Sequence, residues 1–254
     1  MSAEPGALAL AVGVATAAGL VGCFAVMRKM TLASDAIAHV ALPGIAIAAL
    51  IGLPPLLGAL TALLLGTVLI WLVESRARIG TETVIGVVFS AALAAGALIT
   101  RGEHLIEVLL GAPRAPGAWE LGLGLAGAAG VVAFVLLARD RLVITLVSPD
   151  LARTTGIRVE RVNLTYLLAF SLTVALGLRY LGVLLMGSLI IIPAATAKHL
   201  THRLGAMLAV AVAVAVVSTV AGTSLARALE RETGPVIIAV AAGIFFVALL
   251  RRRR

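Results

Sequence analysis

Asp35 and His39 stand four positions apart inside the apolar stretch SDAIAHVALPGIAIAA, residues 34–49. At that spacing the two side chains share one face of a helix. A carboxylate and an imidazole are ligands suited to a borderline divalent cation. An ionisable pair in a membrane-length apolar run is a functional-site hypothesis by default. The pair also has a plainer reading, in which the two groups bond only each other or cap the helix near Ser34. Thr31, one turn earlier, could add an oxygen. Pro43 and Gly44 follow at once and bend the run.

The elements that position this pair are apolar throughout. The chain has 254 residues, of which 61% are hydrophobic and 13% charged, and its mean hydropathy is +1.15. Soluble domains are typically about 45–50% apolar and about 25% charged. The composition therefore implies an all-α, polytopic integral membrane protein. Apolar segments fall at 7–27, 34–51, 55–73, 84–100, 117–138, 162–178, 181–197, 204–222 and 234–250. Each approaches the roughly 20 residues that cross a bilayer, so eight or nine transmembrane helices are expected. Continuous rather than alternating hydrophobicity argues against a barrel.

The net charge of +8 reads as topology, with no nucleic acid implied. With nine spans, 15 of the 20 basic residues fall in one alternating set of connections, including Arg28, Arg76, Arg139, Arg153, Lys198 and the final four arginines. That set is expected to be cytoplasmic, with the C-terminus inside and the N-terminus outside. The first span has no basic stretch before it and reads as retained. Cys23 is the one cysteine and cannot form an intrachain disulfide.

The longest basic connection, Arg139–Arg161, contains a complete helix signal. Ser148 can cap a short helix beginning at Pro149, with Asp150, Leu151, Ala152 and Arg153 inside it and Gly156 ending it. Two readings stand: a docking element for a cytoplasmic partner, or an ordinary surface helix. Glu103, His104 and Glu107, on the opposite side, could bind a cation weakly but read better as a solvated loop. Pro193 should kink the segment GVLLMGSLIIIPAATA. His199 and His202 read as surface residues. No nucleotide loop, HExxH, GxSxG or CxxC pair occurs, so no enzymatic constellation is present. Ionisable groups are sparse within the spans, so if the chain moves a solute the energy is expected to come from another subunit.

The segment SDAIAHVALPGIAIA resembles the signature of the membrane permeases of metal-ion ABC importers, the zinc, manganese and iron family. ETVIGVVFS, HLIEVLLG, SPDLARTTGI, GVLLMGSLIIIPAATA and GPVIIAVAAGIFF resemble further segments of that family, in the same order. The resemblance implies a type II importer fold related to the vitamin B12 importers, with residues 1–254 forming one permease domain in a prokaryotic plasma membrane. It implies a homodimer, two cytoplasmic ATPase subunits docked on the 139–161 loop, and an extracytoplasmic solute-binding protein. ATP hydrolysis would lie in the separate chain. The transported substrate would be Zn²⁺ or Mn²⁺, or else Fe²⁺, with no permanently bound cofactor. Asp35 and His39 would be the metal residues, doubled across the dimer axis. Glu230 stands where relatives often carry an acidic residue before Gly-Pro, either in that site or against the binding protein. The hydropathy pattern puts Asp35 near the inner end of its helix and Glu230 outside. A permease for an organic metal chelate, or a secondary metal transporter, is the competing reading.

Overall fold

Small side chains decide which helix sits at the centre. The computed structural model describes residues 5–30, 36–77, 80–99 and 117–250. Thr31, Ser34, Asp35, Glu103, His104, Glu107 and the four terminal arginines lie outside the described residues. Helix α1 (Pro5–Met27) is apolar on every side, as a helix enclosed by others must be. It packs against three other helices. Ala15, Ala17, Ala18, Val21 and Cys23 are fully buried. A Cβ on Gly19 would meet the Ala211 carbonyl at 2.9 Å, and one on Gly22 would overlap that of Ile190. Such close backbone approach is how helices associate in a membrane, where apolar burial gives no advantage over lipid.

The remaining described helices are α2 (Ala41–Leu50), α3 (Pro55–Ala77), α4 (Thr81–Ile99), α5 (Ala118–Val147), α6 (Pro149–Thr154), α7 (Val159–Leu200), α8 (Leu204–Ala228) and α9 (Thr233–Leu250). No strand occurs among the described residues. Seven helices among those residues are long and apolar enough to cross a membrane. The segment Ala36–Leu50 is a shorter apolar helix, interrupted by a turn at Val40. Pro43 lies in the first turn after that break, where its missing N–H leaves no bond unmade.

Helix α7 joins two segments that the hydropathy pattern separates. If it were straight, Tyr166 and Ile190 would lie about 36 Å apart. Yet the Tyr166 hydroxyl donates to the Val21 carbonyl at 3.1 Å, while Ile190 meets the adjacent Gly22. The run therefore doubles back, and Gly177 and Met186 meet across the reversal. Pro193 lies in its second arm.

Helix α5 also departs from expectation. It does not stop near Ala138 but continues to Val147. At about 45 Å it outreaches the roughly 30 Å hydrocarbon layer. Its last turns carry the exposed ion pair Arg139–Asp140 at 3.4 Å. No proline or glycine occurs between Gly130 and Pro149, so nothing stops the helix at the membrane surface. At its start the Glu120 carboxylate accepts from the Gly117 N–H at 2.9 Å, which satisfies an orphan donor of the helix terminus.

The bundle has two distinct ends. Arg28, Arg76, α6, Lys198 and Arg203 mark a basic end. Trp119, at the start of α5 and 77% exposed, and Glu230, after α8, mark the opposite end. At the basic end the Arg28 guanidinium lies over the Tyr166 ring, 4.5 Å from its centroid. Burial pushes the Arg28 pKa down, and Tyr166 and Glu74 oppose that shift.

Candidate metal site

His39 is 9% exposed and ends the short turn before Val40. Its ring stands edge-on to Phe89 of α4, with centroids 5.4 Å apart and planes at 82°. Val40 Cγ1 reaches the backbone of Gly66 on α3, where a Cβ would stand 2.5 Å from it. Gly66 is near the midpoint of the α3 span, Pro55–Arg76, and Phe89 is near that of the α4 span, Glu82–Ile99. The imidazole therefore lies at mid-depth in the bundle. This is deeper than hydropathy implies. The segment carrying His39 is a half-length helix beginning at that level, so its N-terminal end does not mark the membrane surface. Transporters commonly build substrate sites near the bilayer midplane from discontinuous helices.

Two glycines hold this half-helix in place. Gly44 of α2 and Gly58 of α3 face each other, and a Cβ on either would overlap the other's carbonyl oxygen. Beside His39, α2, α3 and α4 enclose a cavity of about 500 Å³ lined by Val40, Pro43, Gly66, Val84 and Val88, among others. Its lining offers almost no polar surface. A bare cation cannot exchange its hydration shell for that lining. Among the described residues no cluster of three or more His, Cys, Asp or Glu could hold a metal.

The structure does not bring Glu230 to His39. Helix α8 passes α1 with Met207 near Cys23 and Ala211 near Gly19, then runs to Ala228. Counting residues outward from the level of the α1 midpoint puts Glu230 roughly 20 Å beyond His39 in depth. Glu230 is exposed. Its backbone is left-handed, φ +51°, where it closes α8. Arg231 N–H bonds the Ala226 carbonyl at 2.9 Å, and Glu230 N–H bonds that of Arg227 at 3.2 Å. This is the Schellman closure, which favours glycine at the left-handed position. Sequence reasoning took Glu230 for its charge and missed that backbone role. Glutamate at a position that favours glycine gave no local signal.

At the basic end the chain after α5 forms the capped helix. Ser148 is extended (φ −152°, ψ 99°), and its Oγ accepts from Leu151 N–H at 3.2 Å. Pro149 opens α6 and Asp150 lies in its first turn. Gly156, φ +81°, ends it, with Ile157 N–H on the Ala152 carbonyl at 2.9 Å. Leu151 is 53% exposed while Ala152 is buried, so the helix seats one face on the bundle and presents the other. Arg153 ties the helix to α7 through Glu160 at 3.0 Å and pairs with Asp150 at 3.4 Å.

Among the described residues, an all-helical bundle with seven long apolar helices, a broken half-helix at mid-depth and a capped helix at its basic end is the architecture of a multi-pass membrane protein. The chain belongs to the ABC 3 transport family, whose description matches residues 5–252. It is the multi-pass membrane permease of a metal-ion ABC transporter, and ATP hydrolysis resides in a separate subunit. It is 32% identical over 247 residues to the manganese transport system membrane protein MntC of Halalkalibacterium halodurans, covering 95% of this chain and 85% of that one. It is 28% identical to the high-affinity zinc uptake system membrane protein ZnuB of Haemophilus influenzae, covering 92% and 91%. The solved structure of PsaBC from Streptococcus pneumoniae in complex with Fab superposes with a TM-score of 0.84 at 26% identity, covering 98% of this chain and 91% of that one.

Proposed function

We propose that the chain, acting as one permease domain, imports a divalent transition-metal ion, Mn²⁺ or Zn²⁺, across a prokaryotic plasma membrane. The observation that carries this reading is the buried His39 imidazole at mid-depth on a broken half-helix. Asp35 immediately precedes the first described residue of that helix, Ala36. One carboxylate and one imidazole bind a divalent ion weakly, and a homodimer would double them around its two-fold axis. Ligands split between two chains suit a transporter, which must release its ion. The absence of thiolate from the pair favours borderline and hard divalent metals over soft ones.

Helix α6 is the docking element for the ATPase subunit, one on each copy, at the cytoplasmic face. Fifteen of the 20 basic residues fall in the set of connections expected on that side, which supports a C-terminus inside and an N-terminus outside. Glu230, at the opposite end, faces the solute-binding protein that delivers the metal.

Uptake of radioactive Mn²⁺ and Zn²⁺ by vesicles containing the assembled complex and its binding protein tests the site. Asp35→Ala and His39→Ala should each lower uptake at least tenfold while the permease still assembles with its ATPase. Full uptake in the double variant would remove the pair from the transport path. Gradient-driven uptake by this chain alone would remove the ABC importer reading.

A further inference from the structure

The second arm of α7, the start of α8 and the ends of α1 and α9 enclose a cavity of about 780 Å³ at the basic end of the bundle. Lys198, His202 and Arg203 line its rim, while Met27, Phe245 and Leu249 belong to its apolar floor. No acidic residue is among the described residues that line it. Beside the floor, Phe246, Val247 and Leu250 of α9 are 63–84% exposed, so the apolar surface continues into the hydrocarbon around the protein. The rim residues Lys198, His202 and Arg203 are exposed, and Arg203 immediately precedes the first turn of α8.

We infer that this cavity holds the phosphate headgroup of an anionic phospholipid, with its acyl chains leaving along α9. Two features together select that occupant. A cationic rim complements a phosphodiester, and an apolar floor open to the bilayer accommodates the attached chain. A free phosphate would have no use for the floor. An acidic protein surface would meet a recess lined by phenylalanine and leucine. The inference needs only the membrane placement of the bundle and stands apart from the metal reading. Its partner is a lipid of the leaflet at the basic end, which the basic residues assign to the cytoplasm.

The test uses the purified full chain, with native mass spectrometry and thermal unfolding in nanodiscs. Phosphatidylglycerol should be retained as a bound adduct and should raise the unfolding temperature above that in phosphatidylcholine. The double variant Lys198→Gln, Arg203→Gln should lower retention roughly thirtyfold, the combined effect of two charge contacts. The double variant Arg139→Gln, Arg141→Gln makes the same charge change on an exposed helix surface and should leave retention intact. Equal loss in both double variants would show a diffuse surface effect and overturn the site. The same stabilisation by inorganic phosphate or glycerol phosphate would overturn the lipid as its occupant. Retention unchanged in Lys198→Gln, Arg203→Gln would overturn the proposal outright.

Discussion

The indole Nε1 of Trp71 donates to the main-chain carbonyl of Glu160 at 3.1 Å. The same glutamate receives Arg153 of α6 on its side chain at 3.0 Å. One residue thus ties the capped helix to α3, and α3 carries the half-helix of His39 through Gly66 and Gly58. Trp71→Phe keeps an aromatic ring but deletes the N–H together with the five-membered ring of the indole. The lost hydrogen bond alone should cost about 1 kcal/mol, seen as a drop in unfolding temperature. If α6 docks the ATPase, the variant should also raise the ATP hydrolysed per metal ion moved, with ATPase binding unchanged. An unaltered ratio would show that the tie is only structural.

Replacing Gly58 with alanine sets a methyl group against the Gly44 carbonyl and Ala48. Helices α2 and α3 must separate, at a cost of about 1–3 kcal/mol. The shift should displace His39 from its place against Phe89. Metal uptake should fall more steeply than the unfolding temperature does. Gly130→Ala, in α5, meets no atom within 4 Å and serves as the control with neither effect.

Ser148→Ala removes the acceptor that satisfies Leu151 N–H. Loss of such a cap costs about 1 kcal/mol. Because α6 has only six residues, that is enough to fray it. Binding of the ATPase subunit to the purified permease should weaken several-fold, read by co-sedimentation in detergent, while Ser148→Asp should restore it. A permease with Ser148→Ala that binds its ATPase as tightly as wild type would argue for an ordinary surface helix.

Glu230→Gly should raise stability by up to about 1 kcal/mol, because glycine enters the left-handed region without a Cβ clash. It also removes the carboxylate proposed to face the binding protein. Higher unfolding temperature together with weaker binding-protein affinity is the expected combination. Higher stability with unchanged affinity would leave Glu230 with its capping role alone.

Much of the fold was legible because apolar length and basic flanks are local properties. Seven of the nine apolar segments correspond to helices long enough to span. Ser148, Pro149 and Gly156 announced α6 because capping needs only residues a few positions apart. The end of α5 at Val147 was not legible because charges end a membrane span without ending a helix. The reversal of α7 was legible as two segments, but not its continuity, since Gly177 meets Met186 only once the arms pack.

From residue types alone follow the membrane class, the helical architecture, the capped loop and the choice of Asp35 and His39 as the pair to examine. Those rest on composition, periodicity and short-range spacing. The depth of His39, its approach to Phe89 and its separation from Glu230 were decided only by tertiary structure. Each depends on which backbones lie side by side, and Gly44, Gly58 and Gly66 set that register through contacts between different helices.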